Sequence, residues 1–126
     1  MMFFTACSDL PPTSPTAASL SGVWRIISIQ LPSQAVQTAP VGAQYQVELV
    51  NGQASARVDC NTCTGPFVVK GSTLTIGPLL ACTRAACATA SYERAVVAML
   101  SGDHQSATTL HNLTLSSSRG TMQLQR

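Results

Sequence analysis

Hydrophobic and polar positions alternate strictly over residues 44–50: Tyr45, Val47 and Leu49 fall on one side, Gln44, Gln46 and Glu48 on the other. That period of two is the pattern of a half-buried strand. Asn51-Gly52 follows at once. Both residues tolerate the positive φ of a two-residue hairpin turn, so residues 53–58 are predicted to return beside the first strand. Upstream, residues 20–30 (LSGVWRIISIQ) gather Val, Ile and Trp around an early glycine and predict a first strand. Residues 31–43 contain two prolines and no period, and predict a loop. Downstream, residues 67–70 and 73–76 predict two short strands about the Gly71-Ser72 turn, and residues 113–116 and 122–125 predict two more about residues 117–120.

The period changes once. In TRAACATASYERAVVAML, residues 83–100, Ala86, Ala90, Ala95, Val96, Met99 and Leu100 recur at roughly helical spacing among strong helix formers, and Gly102 offers a stop. A helix over about residues 84–100 is predicted. No internal repeat is visible. These elements define a mainly β fold: a small, strongly bent antiparallel sheet, barrel-like, with one α-helix packed on it.

Composition narrows the class. The 126 residues suffice for one domain with a modest core. Only 10% are charged and 5% aromatic, while Ala, Ser, Thr, Leu and Val dominate, as in secreted β domains rather than cytosolic helical ones. The net charge of +2 comes from scattered basic residues with no basic stripe, so no nucleic acid is expected as a partner. No stretch approaches the ~20 apolar residues of a membrane span. The start, MMFFTAC, resembles the end of a bacterial lipobox, with small residues before a cysteine. Residues 1–7 are thus expected to be the remnant of a signal segment, with Cys7 lipidated. Residues 8–19, SDLPPTSPTAAS, are expected to form a flexible tether, and residues 20–126 the folded domain. Ser8, next to Cys7, fits outer-membrane sorting. The competing view makes Met1 the true start and Cys7 an incidental thiol.

The other four cysteines, Cys60, Cys63, Cys82 and Cys87, stand as C-x2-C and C-x4-C. An even set in a small exported domain is expected to form disulfides, with three pairings open. The same spacing could present four thiolates to zinc. Cys60-Asn61-Thr62-Cys63 could instead be a redox dithiol, but Gly65-Pro66 and a strand follow it rather than the helix that lowers a thiol pKa.

The order of LSGVW, CNTCTGPFVVKGSTLTIG, CTRAAC leading into a helix, and LTLSSSRGTMQLQR resembles the META domain (HslJ-like) family over about residues 20–126. The resemblance implies a bent antiparallel sheet with one helix. It also implies a non-catalytic exported protein, often a lipoprotein, linked to envelope stress and antibiotic tolerance. No catalytic residues carry over. The family's usual cysteine pair corresponds to Cys60 and Cys87, which leaves Cys63 with Cys82. Those two cysteines are a departure from the family, as is Asp59 where a glycine often stands.

Other chemistry is sparse. His104 and His111 lie near predicted turns and are expected to be solvated. Asp59 and Asp103 lack a nucleophile motif to serve. Glu93 and Arg94 are expected on the solvated helix face. Trp24 is expected to anchor the core. In an alternative, Trp24, Tyr45 and Phe67 line a cavity on the concave face of the sheet and the domain carries a small apolar ligand. The sequence therefore leads to a monomeric, non-catalytic, cofactor-free domain of the bacterial cell envelope. It is expected to face the periplasm, anchored to the outer membrane through lipid on Cys7 alone, with an envelope protein or small ligand as partner.

Overall fold

The computed structural model describes residues 17–126, so Cys7 and most of the expected tether lie outside the described residues. The alternating stretch forms β3 (Tyr45–Val50), paired antiparallel with β4 (Gln53–Val58) from Tyr45↔Val58 to Val50↔Gln53. Asn51 and Gly52 between them take φ of 53° and 76°, as the twist of a two-residue hairpin demands. Next come β5 (Asn61–Lys70) with β6 (Thr73–Ile76), and at the end of the chain β9 (Asn112–Ser117) with β10 (Gly120–Gln125). β8 (Gly102–Thr108) joins β6 to β9, and β1 (Gly22–Gln30) lies between β3 and β10. The order β1-β3-β4-β5-β6-β8-β9-β10 thus returns to β1, and eight antiparallel strands close a barrel. An even-numbered meander can close this way without a parallel seam. Short β2 (Gln37–Thr38) and β7 (Ala81–Cys82) pair with β1 and β5. α1 (Ala17–Leu20) is a single turn, and α2 (Ala90–Leu100) is the helix.

β1 achieves closure by a bulge. Ile26 opposes Leu124 and Ser28 opposes Gln123, so Ile27 is an extra residue. The insertion shifts the inward phase from Trp24 and Ile26 to Ile29, which keeps all three buried as the strand bends.

Side-chain size is distributed unevenly around the interior. Alongside Val58, Asn61 and Phe67, β4 and β5 send in the small Ala54, Ala56, Cys63 and Gly65, whereas β9 and β10, across the ring, send in Leu113, Leu115, Met122 and Leu124. Small walls facing large ones let an eight-stranded interior fill with side chains. Trp24 is fully buried and donates its indole N–H to the Leu20 carbonyl at 2.8 Å. The Arg126 guanidinium lies 4.2 Å over its ring. That rim holds the start of β1 and the end of β10. At the opposite rim, Tyr45, Asn61 and Gly120 begin their strands, and α2 packs there through Tyr92, Val96, Met99 and Leu100.

Four expectations need correction. The helix begins at Ala90, not near residue 84, because residues 83–87 are held extended. The Thr83 N–H continues the β7 ladder to the Thr62 carbonyl at 3.0 Å, and a disulfide anchors Cys87. Tertiary bonds thereby override the alanine-rich propensity. β5 starts at Asn61 rather than at residue 67, and its inward Asn61, Cys63 and Gly65 conceal the hydrophobic alternation. β8 escaped the pattern for a related reason: its inward residues are His104 and Ser106. His104 is accordingly buried, 1% exposed, not solvated. His111 is exposed as expected, and the expected loop of residues 31–43 contains β2.

Two stability predictions arise here. Gly120 has φ of 131°, and a Cβ there would collide with the Gln30 carbonyl oxygen across the β1–β10 seam and stand 2.8 Å from Met99. Gly120→Ala is expected to cost about 3 kcal/mol in urea unfolding. Gly42→Ala, also at positive φ but with nothing within 4 Å, should cost only about 1 kcal/mol.

The His104 Nε2–H donates to the Leu100 carbonyl at 2.8 Å, which leaves Nδ1 buried without a partner. Burial first, and the Arg119 charge second, hold its pKa below 6.5 despite the opposing Leu100 hydrogen bond and Asp103 charge. The unfolded chain therefore binds the extra proton first. Stability should be complete above about pH 6.5 and fall by up to about 1.4 kcal/mol per unit as pH drops below it toward the lower folded value. Urea titrations across pH 7.5 to 5 should show this slope, and His104→Leu should flatten it.

Candidate functional site

The chain leaves its meander in one stretch, between β6 and β8, and the polar side chains of the helix-bearing rim converge there. Asp59 occupies the turn from β4 to β5 with φ of 59°, a left-handed conformation that glycine adopts freely and Asp tolerates. Its Oδ2 accepts from the Thr89 N–H at 2.9 Å and from the Thr89 hydroxyl at 2.5 Å. These two bonds hold the carboxyl below its ordinary pKa of 3.8. The Thr89 hydroxyl gives its proton to Asp59, so the Tyr45 hydroxyl donates to Thr89 Oγ1 at 2.6 Å. Asp59 thereby fixes the residue that precedes α2.

Tyr45 meets Tyr92 edge to face, with centroids 4.8 Å apart at 85°. Burial first, then the neighbouring Tyr45, pushes the Tyr92 phenol up to about 12. Desolvation also raises the Tyr45 pKa, against the Thr89 hydrogen bond.

Asn61, 1% exposed, is the hub. Its Oδ1 accepts from the Ala85 N–H at 2.7 Å and the Thr83 hydroxyl at 2.9 Å. Its Nδ2 donates to the Ala85 carbonyl at 2.9 Å and to Glu93 Oε2 at 2.6 Å, with Cys87 Sγ at 3.2 Å. One amide thus binds both the extended segment and the first turn of α2.

The structure bonds Cys60 to Cys87 and Cys63 to Cys82, at sequence separations of 27 and 19. Each loop alone would be worth about 3 kcal/mol in the chain-entropy picture. The pairs are nested, so once Cys63–Cys82 forms, the outer bond closes a ring of only about 10 residues and adds somewhat less. Four thiolates converging on one ion, as zinc would require, are not what this arrangement presents. Among the described residues, no three His, Cys, Asp or Glu stand together as a metal site.

Between this stapled segment and α2 runs a cleft of about 790 Å³. Leu80, Cys82, Ala95, Val97 and Ala98 supply its apolar walls. It continues into a second hollow of about 460 Å³ beside Asn61 and Cys87, and Arg84, Glu93 and Arg94 border both. Glu93 is engaged by Asn61 and half-buried, which corrects the expectation of a solvated side chain. Arg84 and Arg94 are exposed and have no ion pair or hydrogen bond among the described residues.

The three aromatics expected around a cavity separate. Trp24 and Phe67 are buried in the barrel. Tyr45 turns to the helix and borders a different outer cleft of about 390 Å³ near Pro40 and Val41. Sequence reasoning missed Asn61, Arg84 and the Asp59–Thr89 pair. Thr89, four residues before an acidic first-turn Glu93, was the available signal for the helix start.

The hub generates a prediction. Asn61→Ala should cost about 2–4 kcal/mol in non-reducing urea unfolding, since it strips buried bonds from two elements at once. Asn61→Asp should cost more at neutral pH, where a second carboxylate would face Glu93, and recover partly in acid as the pair takes up a proton.

Comparison with known proteins agrees with this architecture. An NMR structure of a protein from Burkholderia xenovorans superposes with a TM-score of 0.73 at 22% identity, covering 93% of this chain and 91% of that one. A second NMR structure matches at 20% identity with a TM-score of 0.68, covering 88% and 94%. A lipocalin-like protein from Bacteroides uniformis matches at 13% identity with a TM-score of 0.60, covering 86% and 98%. At these identities the likeness is one of fold. No curated protein matches the sequence. The family model of the META domain matches residues 18–126, the barrel with its helix and both disulfides, and the chain belongs to that family.

Proposed function

We propose that this protein is a non-catalytic binding domain of the bacterial cell envelope. It is tethered to the outer membrane by lipid on Cys7, faces the periplasm, acts as a monomer and supports the envelope under stress or antibiotic challenge. The observation that carries this reading is the nested pair of disulfides. Such bonds persist in oxidising compartments and are rare in the cytosol. Membership of the META family and the Pro/Ser/Thr-rich residues 8–19 behind a lipobox-like start support it further. The rim beside α2 supports binding rather than turnover. Its carboxylates serve as structural acceptors, Asp59 for Thr89 and Glu93 for Asn61, while the neighbouring arginines stay open to solvent.

A second reading, an apolar ligand carried inside the barrel by Trp24, Tyr45 and Phe67, has less behind it. Those side chains are spent on the core and on the helix contact.

Fractionation of native cells with mass spectrometry of the purified chain tests the proposal. A membrane-associated species beginning at an acylated Cys7, with no free thiol among the other four cysteines, is expected. Cells lacking the chain should become more susceptible to envelope-acting antibiotics. A cytosolic chain with an unmodified Cys7 and four free thiols would overturn the reading.

A further inference from the structure

We infer that the cleft between residues 80–84 and the flank of α2 binds a single-chain amphiphile with one negative charge, a long-chain carboxylate. This rests on the reading as a binding domain and names its site and ligand class. The cleft's volume of about 790 Å³ lies within the ~300–1,000 Å³ of small-molecule sites. Its walls accept an alkyl chain: Leu80, Ala95, Val97 and Ala98 offer no hydrogen bond from a side chain, and Cys82 is closed in a disulfide.

Charge at the mouth selects the head group. Arg84 and Arg94 border the cleft with guanidiniums that have no partner among the described residues, and whose fork suits a carboxylate. Glu93 stands beside them, but Asn61 holds its Oε2 at 2.6 Å. Two positive groups and one negative leave a local charge of about +1, which matches a monoanion better than a phosphate dianion. The walls are also held in place. The Cys63–Cys82 bond and the β5–β7 pairing fix one side, and the Asn61–Glu93 bond fixes the other, so a ligand meets a preformed site.

The test is calorimetric titration of the full, disulfide-bonded chain with sodium palmitate below its micelle concentration. Hexadecanol and vesicles of anionic phospholipid serve as comparisons. One palmitate per chain is expected, with at least tenfold weaker binding of hexadecanol. Arg84→Ser and Arg94→Ser should each weaken palmitate several-fold and the double variant more than tenfold. Ala98→Trp, at an exposed helix position, should block binding while thermal unfolding is unchanged. Amide shifts on binding should centre on Ala95, Val97 and Ala98.

Equal affinity of the double arginine variant, or shifts centred inside the barrel, overturns the assignment. So does binding to vesicles without binding to palmitate, which would make the surface a bilayer contact. If palmitate fails while Cys7 is acylated in the envelope, the cleft assignment falls alone. If a cytosolic, unmodified chain still binds palmitate through both arginines, the envelope reading falls alone.

Discussion

An eight-stranded meander ends in two unpaired edges unless its first and last strands find each other, and here Arg25–Gln30 lies against Thr121–Gln125. Exposed edges recruit other chains, and closure removes them. The seam is demanding because β1 must also pair with β3 through Gly22–Arg25 on its other side. A straight strand would lose either the pairing or the burial of Ile29. The Ile27 bulge resolves the conflict, and Gly120 lets the backbone of β10 approach the Gln30 carbonyl.

Closure also dictates where the polar chemistry sits. Hairpins connect most of the strands around the ring, but the route from β6 to β8 must accommodate a helix. The segment that leads into the helix crosses the rim, and its backbone groups at Ala85 and Thr89 lie outside any strand ladder. Leaving those groups dry and unpaired would cost about 1–3 kcal/mol each. Asn61 and Asp59 meet that need with side-chain bonds, and the disulfides keep the segment in register. Gly65 adds a steric condition: a Cβ there would lie 2.8 Å from both the Leu79 carbonyl oxygen and Leu80. The segment that forms one wall of the cleft is thus pressed onto β5 and pinned there.

The sequence revealed what local periodicity encodes. Residues 44–58 announced their hairpin through alternation and Asn51-Gly52, and the barrel-like class followed from many short strands with one helical stretch. Three things were hidden because tertiary contacts create them. β8 buries His104 and Ser106, so its inward face looks polar. Residues 83–87 have the composition of a helix but are held extended against β5. The cleft draws on Arg84 and Arg94, ten residues apart, and nothing in their spacing says that they share a mouth. Cysteine spacing narrowed the chemistry without choosing a pairing, and it was the family resemblance that pointed to one.

The magnitudes at the cleft divide labour between its parts. An exposed guanidinium contributes little to stability on its own, about 0–1 kcal/mol even when paired, so leaving Arg84 and Arg94 without partners among the described residues costs the fold almost nothing. Burying an alkyl chain is worth about 0.8 kcal/mol per methylene, and ten methylenes would offset the lower range of the ~4–15 kcal/mol lost on association. Charge-assisted bonds add about 1.5–3 kcal/mol each, less where water reaches them. Affinity would then come chiefly from the apolar walls, and discrimination from the arginines. Glu93 links the two, because its bond to Asn61 fixes where the one carboxylate of the mouth stands, and its charge leaves the pair of guanidiniums a net of about +1. The amide that holds the helix to the barrel therefore also positions the single negative charge at the mouth of the cleft.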